Sequence, residues 1–91
     1  MRKLTWASEA RRDLRDLFIF VSERNRAAAE RLEQLIVEGA ERAASLPFAY
    51  RSGRQPGTRE AIVHPNYIIV YHVNEDRVRI LRVLHARQLY P

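Results

Sequence analysis

A chain of 91 residues, 46% hydrophobic and 30% charged, has room for one compact core and not a second, and its composition is that of a folded globular protein, neither disordered nor fibrous. Sixteen basic residues, fifteen of them arginine, against eleven acidic ones leave a formal charge of +5, which points to an anionic or acidic partner whose phosphates or carboxylates suit arginine's planar fork. The lack of cysteine excludes disulfides and thiolate metal sites, and no apolar run approaches the ~20 residues of a membrane span, so we expect one cytoplasmic domain over residues 1–91 with no membrane contact.

Leu4, Thr5 and Trp6 form a short run of strand formers, followed by Ser8 in the position of a helix N-cap and Glu9 early in the first turn. Leu14, Leu17, Phe18 and Val21 then recur at the spacing of one helical face, which predicts a helix over residues 8 to 23. Asn25 marks the break and can cap the helix that starts at Ala27-Ala28-Ala29. Its apolar face runs through Leu32, Leu35, Ile36, Gly39, Ala40 and Ala43 to a stop at Leu46-Pro47. Small residues at the last three of those positions allow the two helices to approach as an antiparallel hairpin.

Residues 47 to 57 read as loop, punctuated by Pro47, Gly53, Pro56 and Gly57. Three runs rich in β-branched and aromatic residues follow, Thr58 to Val63, Tyr67 to Val73 and Arg77 to Leu84, with polar turns between them short enough for an antiparallel meander. Tyr67-Ile68-Ile69-Val70-Tyr71 is apolar on both alternating sets, which suits a central strand, and the first strand is expected beside it. The predicted order is β-α-α-β-β-β, an α+β fold with a helical hairpin on a small antiparallel sheet and a short tail from Ala86 to Pro91.

Neither a glycine-rich phosphate loop nor a His-x-x-x-His pair nor a nucleophile elbow is present, so no cofactor or metal is expected. Ser8, Ser22 and Ser45 fall on helices or their ends, where capping or exposure accounts for them. His64 precedes Pro65 in a turn and His72 alternates with Ile68 and Val70 on one strand face; both suit structural roles. His85 closes the last strand amid Arg82 and Arg87, and with Arg59 these could converge on a phosphate. Cleaving RNA there would need a base for the 2′-hydroxyl, a cation for the pentavalent phosphate and an acid for the leaving oxygen. His85 could carry one proton and Tyr90 could be a remote second carrier; the alternative is a solvated basic rim in which Glu60 pairs. Tyr67 and Tyr71 read as core rather than base-stacking platforms, and Trp6 and Phe18 as core or partner-facing hydrophobes.

Ala10-x-x-Asp13-Leu14, Pro56-Gly57-Thr58-Arg59-Glu60, Tyr67-Ile68-Ile69-Val70-Tyr71 and Val78 through Arg87 together resemble the RelE/ParE superfamily of toxins, also described as plasmid-stabilisation proteins. The resemblance spans nearly the whole chain. It implies a toxin of a type II toxin–antitoxin pair, held as a hetero-oligomer by a cognate antitoxin whose extended, often acidic tail wraps the toxin; Leu17, Phe18, Leu32 and Leu35 on the hairpin are the expected antitoxin contacts. The superfamily divides by target. RelE-like members cut mRNA on the ribosome, for which Arg59, Arg82, His85 and Arg87 would be the catalytic candidates. ParE-like members inhibit growth by poisoning DNA gyrase, for which Arg82, His85, Arg87 and Tyr90 would be the target contacts. Ile68 stands where the ribonucleases tend to carry arginine and the matching loop lacks their lysine pair, which favours the ParE-like branch, as does the long second helix.

Overall fold

The computed structural model describes residues 2–88 and contains β1 (Lys3–Trp6), α1 (Ser8–Ser22), α2 (Arg26–Ser45), β2 (Arg51–Ser52), β3 (Thr58–His64), β4 (Tyr67–Val73) and β5 (Arg77–His85). The two helices form the predicted hairpin. Asn25 caps α2 as its spacing predicts, its Oδ1 accepting the amide of Ala28 at 3.0 Å. Ser8 does not cap α1. The cap position belongs to Ala7, whose N–H is already held by the Ile80 carbonyl of the sheet at 2.8 Å, so Ser8 is the first helical residue and its side chain is exposed.

All five strands join one sheet in the order β1-β5-β4-β3-β2. The last three pair antiparallel as predicted, and β4 is central. The first strand departs from expectation, because it lies beside β5 rather than β4 and runs parallel to it, with Lys3 opposite Arg77 and Trp6 opposite Ile80. Both edges of β4 are taken by its hairpin partners, so a strand arriving from elsewhere in the chain has to add at the outside. The segment read as loop also yields β2, two residues that pair with Glu60 and Arg59. Gly57 turns the chain into β3 with φ of 82°, a conformation open to glycine at no steric cost.

One face of the sheet carries the helices. Ala10, Ile36, Ala40 and Ala43 of the hairpin bury Ile69, Tyr71, Val78, Ile80 and Val83 beneath them. Small side chains on α2 let it lie close to the sheet, with Gly39 against Val63 of β3. A bulge between Val70 and Tyr71 in the β4–β5 register leaves Leu81 as the extra residue, so that Ile80 before it and Val83 after it both reach this core. Ile68, Val70 and Leu84 form a separate small buried cluster.

Candidate functional site

Asp13 follows Ala10 by three residues and precedes Leu17 by four, which places a carboxylate on the stripe of α1 that packs inward. A carboxylate there requires a charged or N–H partner. Arg82 supplies it bidentately: Nε donates to Asp13 Oδ2 at 2.8 Å and Nη2 to Oδ1 at 3.1 Å, while the Val83 amide donates to Oδ2 at 2.9 Å. Glu9 adds a longer contact at 3.7 Å. The hydrogen bonds that Arg82 donates to Asp13 raise its pKa above the ordinary arginine value. This clamp fastens α1 to the stretch of β5 that runs past the end of β1.

Beyond the clamp stands His85. Its ring meets Tyr67 edge-on with centroids 5.3 Å apart, and its Nδ1 accepts the Arg87 amide at 3.1 Å. Both residues border a cleft of about 300 Å³ whose other walls include Asp13, Asp16, Leu17 and Phe20. Carboxylates therefore share the cleft with the histidine, and one of the surrounding arginines is already engaged by one of them. The Arg87 side chain is exposed. Tyr90 lies outside the described residues.

Arg59 does not join this group. It stands opposite Tyr71, whereas His85 stands opposite Tyr67, four residues away along β4 or about 13 Å of strand. Its Nη1 donates to the Tyr50 carbonyl at 2.7 Å, and its guanidinium lies 4.9 Å from the centre of the exposed Phe48 ring. Glu60 pairs, as the alternative reading of a basic rim has it, but from a buried position, accepting from Arg51 at 3.0 Å and from the Arg54 amide at 3.2 Å.

Tyr71 is core: its hydroxyl donates to the Pro47 carbonyl at 2.6 Å, and burial pushes its pKa up to about 12, with Arg59 pulling the other way. Tyr67 is only half-buried, at the mouth of the cleft. His64 is structural, its Nδ1 accepting the Asn66 amide at 3.0 Å, and His72 is exposed.

On the hairpin, Leu17 and Leu32 turn inward against the core, while Leu35 is 41% exposed. Phe18 lines a second groove of about 410 Å³ with Trp6, Leu14 and Val37, rimmed by Arg11, Arg15 and Glu33. Ile19 and Phe20, half-exposed on α1, escaped the sequence reading because neither falls on the inward-facing register. Asp13 enters the sequence reading only within the Ala10-x-x-Asp13-Leu14 motif, although its position among inward residues is a readable demand for a cation. Among the described residues, no group of three or more His, Cys, Asp or Glu could hold a metal ion, and no helix is long and apolar enough to cross a membrane.

Residues 4–90 match the family model described as the ParE toxin of the type II toxin–antitoxin system parDE. The Sinorhizobium fredii protein Y4kP is 32% identical, over 99% of this chain and 94% of that one. Toxin RelE2 of Caulobacter vibrioides is 29% identical, over 98% of this chain and all of that one. Among solved structures, a chain of the chromosomal ParDE system from Pseudomonas aeruginosa has the same fold, with a TM-score of 0.80 at 24% identity, 93% of this chain and 96% of that one being covered.

Proposed function

Because the chain belongs to the ParE toxin family of type II toxin–antitoxin systems, we propose that it arrests growth by binding DNA gyrase and trapping it on cleaved DNA, and that a cognate antitoxin neutralises it. The observation that carries this reading is the Asp13–Arg82 clamp. A ribonuclease needs an available cation beside its proton carrier, and here the arginine nearest His85 in the sheet is held by a carboxylate. Asp13 and Asp16 beside His85 would repel a scissile phosphate, and Arg59 stands at the far end of β4. What remains is binding: His85 and Arg87, with Tyr90 by its place in the sequence, as target contacts, and Arg82 holding the strand that ends at His85.

The antitoxin's place in this reading is the hairpin groove. Trp6, Phe18 and Val37 offer apolar purchase and Arg11 and Arg15 suit an acidic tail, while Leu35, two residues from both Glu33 and Val37, is exposed on the other flank of α2 and would need a tail that wraps the hairpin. Leu17 and Leu32 shape that surface from beneath.

Supercoiling and DNA-cleavage assays with purified gyrase test the target. The wild-type chain should inhibit supercoiling and accumulate cleaved DNA, and Arg87→Ala should weaken both. Absence of inhibition at concentrations that arrest growth removes the reading. The likeness to RelE2 supports a second one, a ribosome-dependent mRNA endonuclease using Arg59, Arg82, His85 and Arg87. It requires His85→Ala to abolish codon-specific cleavage in a translating extract while antitoxin binding persists.

A further inference from the structure

The charge of this protein is not spread evenly. Residues 8–45, the hairpin, hold seven arginines and eight carboxylates, so the strands and their loops hold nine of the sixteen basic residues and only three of the eleven acidic ones. The excess positive charge therefore belongs to the sheet layer.

Strand alternation directs part of it to one place. Leu4, Trp6, Val78 and Ile80 pack toward the helices, so Lys3, Arg77 and Arg79 project from the opposite face of the sheet, as does His72, which follows Ile69 and Tyr71 out of the core. The register sets Lys3 directly opposite Arg77 and His72 opposite Arg79. Each of the four Cα atoms lies within about 7 Å of the next. Like charges facing each other across strands destabilise a sheet. Asp76 meets Arg77 at 3.6 Å from the adjoining turn, where Glu75 is also exposed, and Glu60 is occupied with Arg51 and Arg54.

We infer that this helix-free end of the sheet is a docking surface for the phosphate backbone of double-stranded DNA. The occupant is argued from charge complementarity and from what the patch lacks. A duplex offers a dense, regular row of negative charge that a flat cationic surface can follow without reading bases. Recognition of a single strand uses exposed aromatic platforms, and none of the four patch positions is a tyrosine, phenylalanine or tryptophan. The inference rests on the gyrase reading for its purpose, since a toxin bound to gyrase sits beside the enzyme's DNA, but not for its test.

The test is the anisotropy of a labelled random-sequence duplex of about 20 base pairs, titrated with the purified chain over about 50–200 mM salt. Wild-type protein should bind, more weakly as salt rises. Arg77→Gln/Arg79→Gln should bind about tenfold more weakly, with a log–log salt slope shallower by about 2. Arg12→Gln/Arg31→Gln, the same charge removed from exposed hairpin sites, should stay within about twofold of wild type. Circular dichroism confirms that both variants are folded. Failure of the wild type to bind at the lowest salt, equal loss in both variants, or tighter binding to a single strand of the same length would each overturn the inference. A chain that inhibits gyrase without binding duplex loses this inference and keeps the proposed target; one that binds duplex without inhibiting gyrase does the reverse.

Discussion

Asp13 in the first helix and Arg82 in the last strand, 69 residues apart, are joined by two parallel hydrogen bonds of 2.8 and 3.1 Å, and the same carboxylate accepts the Val83 amide. One acidic side chain thus ties the helical hairpin to the strand that leads into the candidate target surface. Arg82 is 34% exposed and Asp13 18%, so water screens the pair in part.

Asp13→Ala should cost about 1–3 kcal/mol, below the range for fully buried pairs because of that screening. A domain of this size would lose roughly 4–8 °C in Tm for each kcal/mol. A double-mutant cycle with Arg82→Met isolates the interaction. A coupling energy within about 0.5 kcal/mol of zero would mean the clamp is only a surface contact.

Burial holds the Tyr71 phenol neutral, raising its pKa from 10.0 to about 12. Between those values the folded chain keeps a proton that the unfolded chain has lost. This contribution to stability is therefore complete below pH 10 and disappears as pH rises toward 12. Phenolate absorbance should show one tyrosine titrating late, and Tyr71→Phe should remove that step. The same variant leaves the Pro47 carbonyl without its donor, costing about 1–2 kcal/mol at neutral pH. Simultaneous titration of every tyrosine near the ordinary value would contradict the account.

A methyl group added at Gly39 would run into Cγ1 of Val63, with Val63 Cβ 3.0 Å away. Valine is stiff at χ1 and cannot swing aside freely. Overpacking of about 1–3 kcal/mol should therefore exceed the gain of about 1 kcal/mol from alanine's helix propensity, and Gly39→Ala should lower Tm. Adding Val63→Ala should recover part of the loss. A Gly39→Ala chain as stable as wild type would show that α2 can back away from the sheet.

Phe18→Ala and Leu35→Ala should each weaken antitoxin binding by about tenfold or more if they act as apolar anchors, while growth arrest in the absence of antitoxin persists. Calorimetric titration with the antitoxin measures the first and an induced-expression growth curve the second. Unchanged affinity in both variants would move the antitoxin off the hairpin.

The hairpin and the three-strand meander were legible because each is written in local periodicity: Leu14, Leu17 and Val21 on one helix, Ile36, Ala40 and Ala43 on the next, and alternation around Ile69 and Tyr71. What was not legible depended on distant register. Nothing near Lys3 announces Arg77 as its neighbour, and two-residue β2 is too short to show a period. Of the four candidate residues of the basic cluster, Arg59, Arg82 and His85 lie in the sheet and Arg87 in the turn after β5, and the β3–β4–β5 register sets Arg59 apart from His85. Asp13 is the instructive omission. Its helical position was plain, and an inward carboxylate demands a cation, although which of fifteen arginines supplies it depends on the register of β5, 69 residues away.

The parallel pairing of β1 with β5 links the opening of the chain to residues 77–80. A polypeptide emerging from the ribosome can assemble its hairpin early, but its outer strand has nothing to lie against until residues 77–80 have been made. A product truncated before residue 77 therefore leaves β1 unpaired, and the two ends of the sheet's parallel pair are joined only by a strand made more than 70 residues later.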